Sequence, residues 1–186
     1  MEITPKELES VDLRGKIIIF PTDTVYGVGC LYDDLVAIDR IYRLKQRDYS
    51  KPMAILGTDI ASLLPLVDVN DRFMELARTY WPGALTIIVR KTELVSELAS
   101  AKRPTVGVRI PNHEIALAIL RQFGPMVVTS LNQSGEKAIV SYQEAITYHN
   151  KVDFIVNGGE LSDLPSTVYD LETGRVLRQG SLVIPE

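Results

Sequence analysis

Apolar residues along this chain fall into short blocks, some continuous and some spaced every three or four positions. Lys16-Ile17-Ile18-Ile19-Phe20 is continuous and β-branched, which predicts a buried strand. Pro21 ends it, because proline has no N–H for a sheet ladder. Ahead of it, Thr4-Pro5-Lys6-Glu7 supplies an N-cap hydroxyl, a first-turn proline and a capping-box carboxylate, so a helix is predicted from Thr4 to about Leu13, closed by Gly15. Behind Asp33-Asp34, the apolar positions Leu35, Ile38, Ile41, Tyr42 and Leu44 share one face of a second helix. Residues 53–56 read as a short strand, and 71–80 as a helix with Phe73, Leu76, Ala77 and Tyr80 on one side. Further strands are expected at 84–89, 105–110, 126–129 and 154–156, and helices at 114–122 and 142–150. The tail reads as a hairpin, 167–171 and 175–178 around Glu172-Thr173-Gly174. Strands and helices that alternate and then close on a hairpin predict an α/β fold whose sheet is not purely parallel.

Composition narrows the class. At 186 residues the chain has the length of one domain, 1–186, and such a chain buries roughly 70% of its unfolded surface without disulfides or a structural metal. Apolar residues make up 46% and charged residues 24%, ordinary values for a globular protein. No apolar run approaches the roughly 20 residues of a membrane helix, and the polar start Met1-Glu2-Ile3-Thr4 does not read as a secretory signal. A cytoplasmic protein with no membrane partner is therefore expected. The single cysteine, Cys30, cannot form an internal disulfide. The net charge of −4 argues against sequence-independent nucleic-acid binding through a basic surface, though it leaves room for a local basic groove.

Five polar clusters sit at the ends of the apolar runs, where α/β proteins bind ligands. Pro21-Thr22-Asp23-Thr24-Val25-Tyr26-Gly27-Val28-Gly29 offers hydroxyls, a carboxylate and two glycines. It suits either a capped turn or a loop whose N–H groups approach an anion, and no Gly-Lys-Ser/Thr follows to make it a P-loop. Lys45-Gln46-Arg47-Asp48-Tyr49-Ser50-Lys51-Pro52 crowds three cations past a helix end; they either complement the helix dipole or clamp a triphosphate. In Thr105-Val106-Gly107-Val108-Arg109-Ile110-Pro111, strand alternation sends Arg109 to solvent or into a cleft. Val127-Val128-Thr129-Ser130-Leu131-Asn132-Gln133-Ser134-Gly135 leaves a strand with many neutral donors and acceptors, as a turn or a ligand loop would. Ser166-Thr167-Val168 faces Arg178-Gln179-Gly180 across the hairpin. The two histidines, His113 and His149, lack metal-ligand spacing, and no Gly-x-Ser-x-Gly elbow occurs. Such loops without a nucleophile favour a reaction between bound substrates, driven by positioning and charge stabilisation.

Read in order, Pro-Thr-Asp-Thr-Val-Tyr-Gly-Val-Gly at 21–29, Lys-Gln-Arg and Lys-Pro within 45–52, Trp-Pro-Gly-Ala-Leu-Thr at 81–86, Val-Gly-Val-Arg-Ile-Pro at 106–111, Ser-Leu-Asn-Gln-Ser-Gly at 130–135, Ser-Thr-Val at 166–168 and Leu-Arg-Gln-Gly at 177–180 resemble the YrdC-like family of threonylcarbamoyl-AMP synthases, from about residue 8 to 181. The resemblance implies a twisted, mixed parallel and antiparallel sheet flanked by helices, related to the DHBP synthase-type fold, with a large concave cavity. It implies that L-threonine, bicarbonate and ATP yield threonylcarbamoyl-AMP and pyrophosphate, with Mg²⁺ sharing the departing charge. The product would pass to a threonylcarbamoyl transferase machinery that modifies tRNA.

By the same resemblance, Lys45 and Arg47 would be catalytic and would bind ATP with Lys51, Thr105, Ser130, Asn132 and Arg178. Thr22, Arg109 and Ser166 would hold threonine, and no protein metal ligand is expected. Two positions depart from the family pattern. Leu131 stands where alanine is usual, and would either narrow the pocket or pack beneath the loop. Met53-Ala54-Ile55-Leu56-Gly57 lacks the histidine many members carry after Lys-Pro. Two alternatives compete with the synthase: a paralogue of the same fold without that activity, and a module binding tRNA or double-stranded RNA in a basic groove.

Overall fold

The computed structural model describes residues 1–162 and 164–185. Among these, nine strands form one sheet: β1 (Ile18–Phe20), β2 (Gly27–Leu31), β3 (Ala54–Leu56), β4 (Leu85–Arg90), β5 (Thr105–Arg109), β6 (Met126–Ser130), β7 (Phe154–Ile155), β8 (Thr167–Asp170) and β9 (Arg175–Arg178). Their order is β7-β1-β2-β6-β3-β5-β4-β8-β9. The pairs β1–β7, β3–β5 and β4–β8 are parallel and the others antiparallel, so the sheet is mixed. Six helices flank it: α1 (Pro5–Leu8), α2 (Leu35–Leu44), α3 (Ile60–Leu63), α4 (Asp71–Tyr80), α5 (Glu114–Phe123) and α6 (Tyr142–Ala145), with 3₁₀ turns at Leu64–Leu66 and Ile146–Tyr148.

Strand alternation divides the core in two. Ile19, Val28, Ile55, Ile87, Val106, Val108 and Val127 point to one face, where Ile38 and Ile41 of α2 and Phe73 and Leu76 of α4 cover them. Ile18, Phe20, Leu56, Met126 and Val128 point to the other, under Leu8 of α1 and Ala116, Ile119 and Leu120 of α5. Each large aliphatic side chain so buried contributes about 1.5–3 kcal/mol. The helix starts follow from local chemistry: Asp34 accepts from the Ala37 N–H at 3.0 Å and Asn70 from the Phe73 N–H at 2.9 Å, each satisfying a first-turn donor.

Four elements differ from the sequence reading. The first helix stops at Leu8, short of Leu13, with Ser10 turning back to donate its hydroxyl to the Glu7 carbonyl. The helix expected over 142–150 is α6 plus a 3₁₀ turn; Thr147 donates its hydroxyl to the Glu144 carbonyl at 2.6 Å, which competes with the helical ladder. Strand β2 lies inside what reads as a glycine-rich loop. Its glycines are there for close approach: a Cβ on Gly29 would sit 2.8 Å from the Val127 carbonyl oxygen and 2.9 Å from a Val128 methyl. Helix α3, capped by Asp59, occupies a stretch for which the pattern predicted no element.

Candidate functional site

On the face that carries α1 and α5, the strands β3, β5, β4 and β8 run on to a concavity of about 440 Å³, within the range of small-molecule sites. Its floor is paved with small residues. Gly27 on β2, Ala54 on β3 and Gly107 on β5 all face the hollow, with Ala54 opposite Gly107 in register. A Cβ on Gly107 would already press against a Thr86 methyl at 3.1 Å. Larger side chains on these strands would fill the space that the hollow occupies.

At one end, the C-terminus of α2 meets the loop that leaves β6. Lys45 caps the helix, and Gln46 follows at φ +48, so the chain turns sharply and Lys45 and Arg47 diverge. Arg47 enters the hollow, held by donation from Nε to the Lys51 carbonyl (3.1 Å) and from Nη2 to the Pro52 carbonyl (2.8 Å). Lys45 goes beneath the loop, 1% exposed. Its ammonium donates to the Ser130 carbonyl, to the Asn132 carbonyl (3.0 Å) and to Asn132 Oδ1 (2.5 Å). Burial, assisted by the charge of Arg47, pulls this ammonium down to about 7. Above it, Ser130 and Asn132 line the hollow, the Ser130 hydroxyl donating to Asn132 Oδ1 at 3.0 Å and Asn132 Nδ2 donating to the Glu136 carbonyl at 2.6 Å.

At the other end lies Arg109. Val106 and Val108 point into the core, so alternation turns Arg109 to the hollow, where it is 6% exposed rather than solvated. Nη2 is paired with Asp23 at 2.5 Å, Nη1 donates to Thr24 Oγ1 at 3.2 Å, and Nε donates to the Gly83 carbonyl at 3.0 Å. Gly83 follows the cis Trp81–Pro82 peptide and donates its own N–H to the Ile110 carbonyl. Thr22 is buried beside this group, its hydroxyl donating to the Val25 carbonyl at 2.7 Å. Across the floor, Arg178 reaches from β9 to Ser166, with Nε on its carbonyl (3.0 Å) and Nη2 on its hydroxyl (2.9 Å), while Thr86 Oγ1 shares that hydroxyl at 2.9 Å. Burial lowers the guanidinium pKa of Arg47, Arg109 and Arg178. For Arg109 the pull of Asp23 opposes burial, while the charge of Arg178 adds to it. Arg109 is buried, Arg47 half-buried and Arg178 exposed at the rim, and three guanidinium groups around one hollow favour an anionic occupant.

Of the ten site residues named from sequence, the hollow gathers Thr22, Arg47, Arg109, Ser130, Asn132, Ser166 and Arg178. Thr105 stands on the same strand face as Gly107 and Arg109, one step beyond the lining. Lys51 is exposed and contributes its carbonyl rather than its ammonium to the wall, by accepting from Arg47 and from the Tyr42 hydroxyl. Lys45 lies behind the wall, and its nitrogen meets carbonyls of the β6 loop rather than those of its own helix. Leu131 is fully buried under the loop, away from the hollow, so it does not narrow the hollow. Where a histidine was missing, Met53 and Leu56 present apolar side chains to the hollow. Sequence reasoning missed Asp23, Thr24, Thr86, Thr129 and Glu136 as site residues. Asp23, Thr24 and Thr86 stand within quoted motifs and Thr129 within a quoted polar cluster, but only the pairing of distant strands shows what they face. Among the described residues, no trio of His, Cys, Asp or Glu converges on a metal position, and no helix is long and apolar enough to cross a membrane.

Residues 11–180 match the family model Sua5/YciO/YrdC, described as telomere recombination. Among solved structures, that of P. abyssi Sua5 complexed with L-threonine is 34% identical with a TM-score of 0.87, over 90% of this chain and 51% of that one. E. coli YciO is 32% identical with a TM-score of 0.83, over 90% of this chain and 84% of that one. MTH1692 from Methanobacterium thermoautotrophicum is 32% identical with a TM-score of 0.72, over 92% and 84%. The chain thus spans about half the length of the Sua5 structure and most of the other two.

Proposed function

The chain belongs to the Sua5/YciO/YrdC family, and from that premise we propose that it joins L-threonine, bicarbonate and ATP into threonylcarbamoyl-AMP, releasing pyrophosphate, as the first step of a tRNA modification. The observation that carries this reading is the single hollow with guanidinium groups at both ends, that of Arg109 buried, and neutral hydroxyls between them. The Sua5 structure complexed with L-threonine supports the amino acid as one occupant. Arg109, backed by Thr22 and Thr24, suits a carboxylate, since guanidinium N–H groups recognise carboxylates in plane. Arg47, Ser130 and Asn132 suit a nucleotide phosphate tail at the other end, and Arg178 beside Ser166 lies where the two substrates meet.

In this reading bicarbonate loses hydroxide as its C–O bond breaks, giving carbon dioxide; the threonine amine, already deprotonated by solvent, adds to that carbon, the N–C bond forms, and the proton the nitrogen sheds leaves with the hydroxide as water. The resulting carbamate oxygen attacks the α-phosphorus, and the bond from that phosphorus to the bridging oxygen breaks, so pyrophosphate leaves. The protein's part is orientation and charge: held cations stabilise the oxygens on which charge develops. Mg²⁺ enters this reading as the counter-ion of ATP, held chiefly by phosphate oxygens and water. The deciding experiment measures pyrophosphate release by the purified chain. Release that requires ATP, threonine and bicarbonate together is expected. ATP binding without release under any combination would assign a non-synthase paralogue, and RNA binding in the absence of all three would assign an RNA module.

A further inference from the structure

Lys45 is the most deeply buried cation at the hollow and the one whose position departs furthest from a ligand contact. An ammonium has three N–H donors and no acceptor. At Lys45 all three acceptors they can serve belong to the β6 loop: the carbonyls of Ser130 and Asn132 and the Oδ1 of Asn132. A phosphate oxygen would have to displace a buried backbone carbonyl, and an orphaned buried acceptor is costly. The loop is stapled to the same helix end from the other direction too. The Ser134 N–H donates to the Lys45 carbonyl at 3.1 Å, and Gln133 Nε2 donates to the Leu44 carbonyl at 3.3 Å. Asn132 Oδ1, gripped by Lys45, also receives the Ser130 hydroxyl, so this nitrogen, with the Glu136 carbonyl that accepts from Asn132 Nδ2, ties down both lining side chains.

We propose that Lys45 is a positioning residue: seated under the Ser130–Asn132 loop, it sets where the Ser130 hydroxyl and the Asn132 amide face the nucleotide, and it touches no phosphate itself. The identity of the ligand rests on the function proposed above; the bracket does not. Burial supports the assignment, because Lys45 is 1% exposed and does not line the hollow.

Two measurements test it. In the wild-type chain, lysine acylation followed by mass spectrometry is expected to leave Lys45 unmodified both without and with ATP, while exposed Lys51 reacts. Labelling of Lys45 that occurs without ATP and is suppressed by ATP would overturn the proposal. The second is a double-mutant cycle read by ATP binding. Lys45→Met and Asn132→Ala are each expected to weaken ATP binding roughly tenfold or more, the range for hydrogen bonds to a charged group. The double variant is expected to be no weaker than either, with threonine affinity and the salt dependence of ATP binding both unchanged. Additive losses, a reduced salt dependence, or equal loss of threonine binding would each overturn it. If ATP does not bind at all, the function proposed above fails, and the labelling in its absence still decides the bracket.

Discussion

Replacing Asp23 by alanine isolates the electrostatics of the Arg109 end of the hollow. The Arg109 side chain is 8% exposed and that of Asp23 14%. The substitution leaves a buried guanidinium with only two neutral acceptors, Thr24 Oγ1 and the Gly83 carbonyl, and with the charge of Arg178 no longer offset. Removing one partner of a buried ion pair costs about 3–5 kcal/mol. Arg109 lines an open hollow, which places this case at the lower end, about 3 kcal/mol. For a chain of this length that is a fall in melting temperature of roughly 5–10 °C. Urea unfolding followed by circular dichroism at pH 7 measures it. Two controls follow from the same reasoning. Asp23→Ala combined with Arg109→Met regains most of the loss, because no uncompensated charge remains. Added sulfate raises the melting temperature of Asp23→Ala more than that of the wild type, because the freed guanidinium recruits an anion. A loss below about 1 kcal/mol, or a double variant whose loss is the sum of the singles, refutes the view that the pair is a coupled, desolvated unit.

Arg109→Ala is expected to raise the threonine requirement of pyrophosphate release far more than the ATP requirement; equal effects on the two KM values would contradict its place at the amino-acid end. Gly107→Leu is expected to abolish binding of both substrates by filling the floor of the hollow, since its Cβ already meets Thr86 at 3.1 Å, and calorimetric titration with each substrate checks it. The Lys45 ammonium falls to about 7 in the folded chain from its ordinary 10.5, so between those values the unfolded state holds the extra proton and stability from this group rises with pH. The rise approaches roughly 5 kcal/mol at full titration, and Lys45→Met is expected to flatten it in urea titrations between pH 7 and 10; an unchanged slope would mean that the ammonium is not desolvated.

What could be read from the residues alone was whatever depends on near neighbours. The run Ile17-Ile18-Ile19-Phe20 specifies a strand buried on both faces because each of its side chains is apolar. The spacing of Phe73, Leu76 and Ala77 specifies α4, and Glu172-Thr173-Gly174 the turn between β8 and β9, since capping, periodicity and turn chemistry act within a few residues. The seven ordered motifs likewise name the family without any coordinates. What the tertiary structure decided concerns partners brought from far along the chain. Gly27 and Gly29 read as loop until β6 is packed against them, and then they are a strand that only hydrogen can fit. Arg109 is a solvent-facing arginine by frequency and a buried ion-paired one by position, because Asp23 lies 86 residues away in sequence and 2.5 Å away in space. Lys45 carries the same two-sided reading, helix-end cation or phosphate clamp, and the structure places its nitrogen under the loop after β6 instead. Side-chain charge and shape are written in the sequence, but the desolvation that gives them their effect exists only once distant segments close around them.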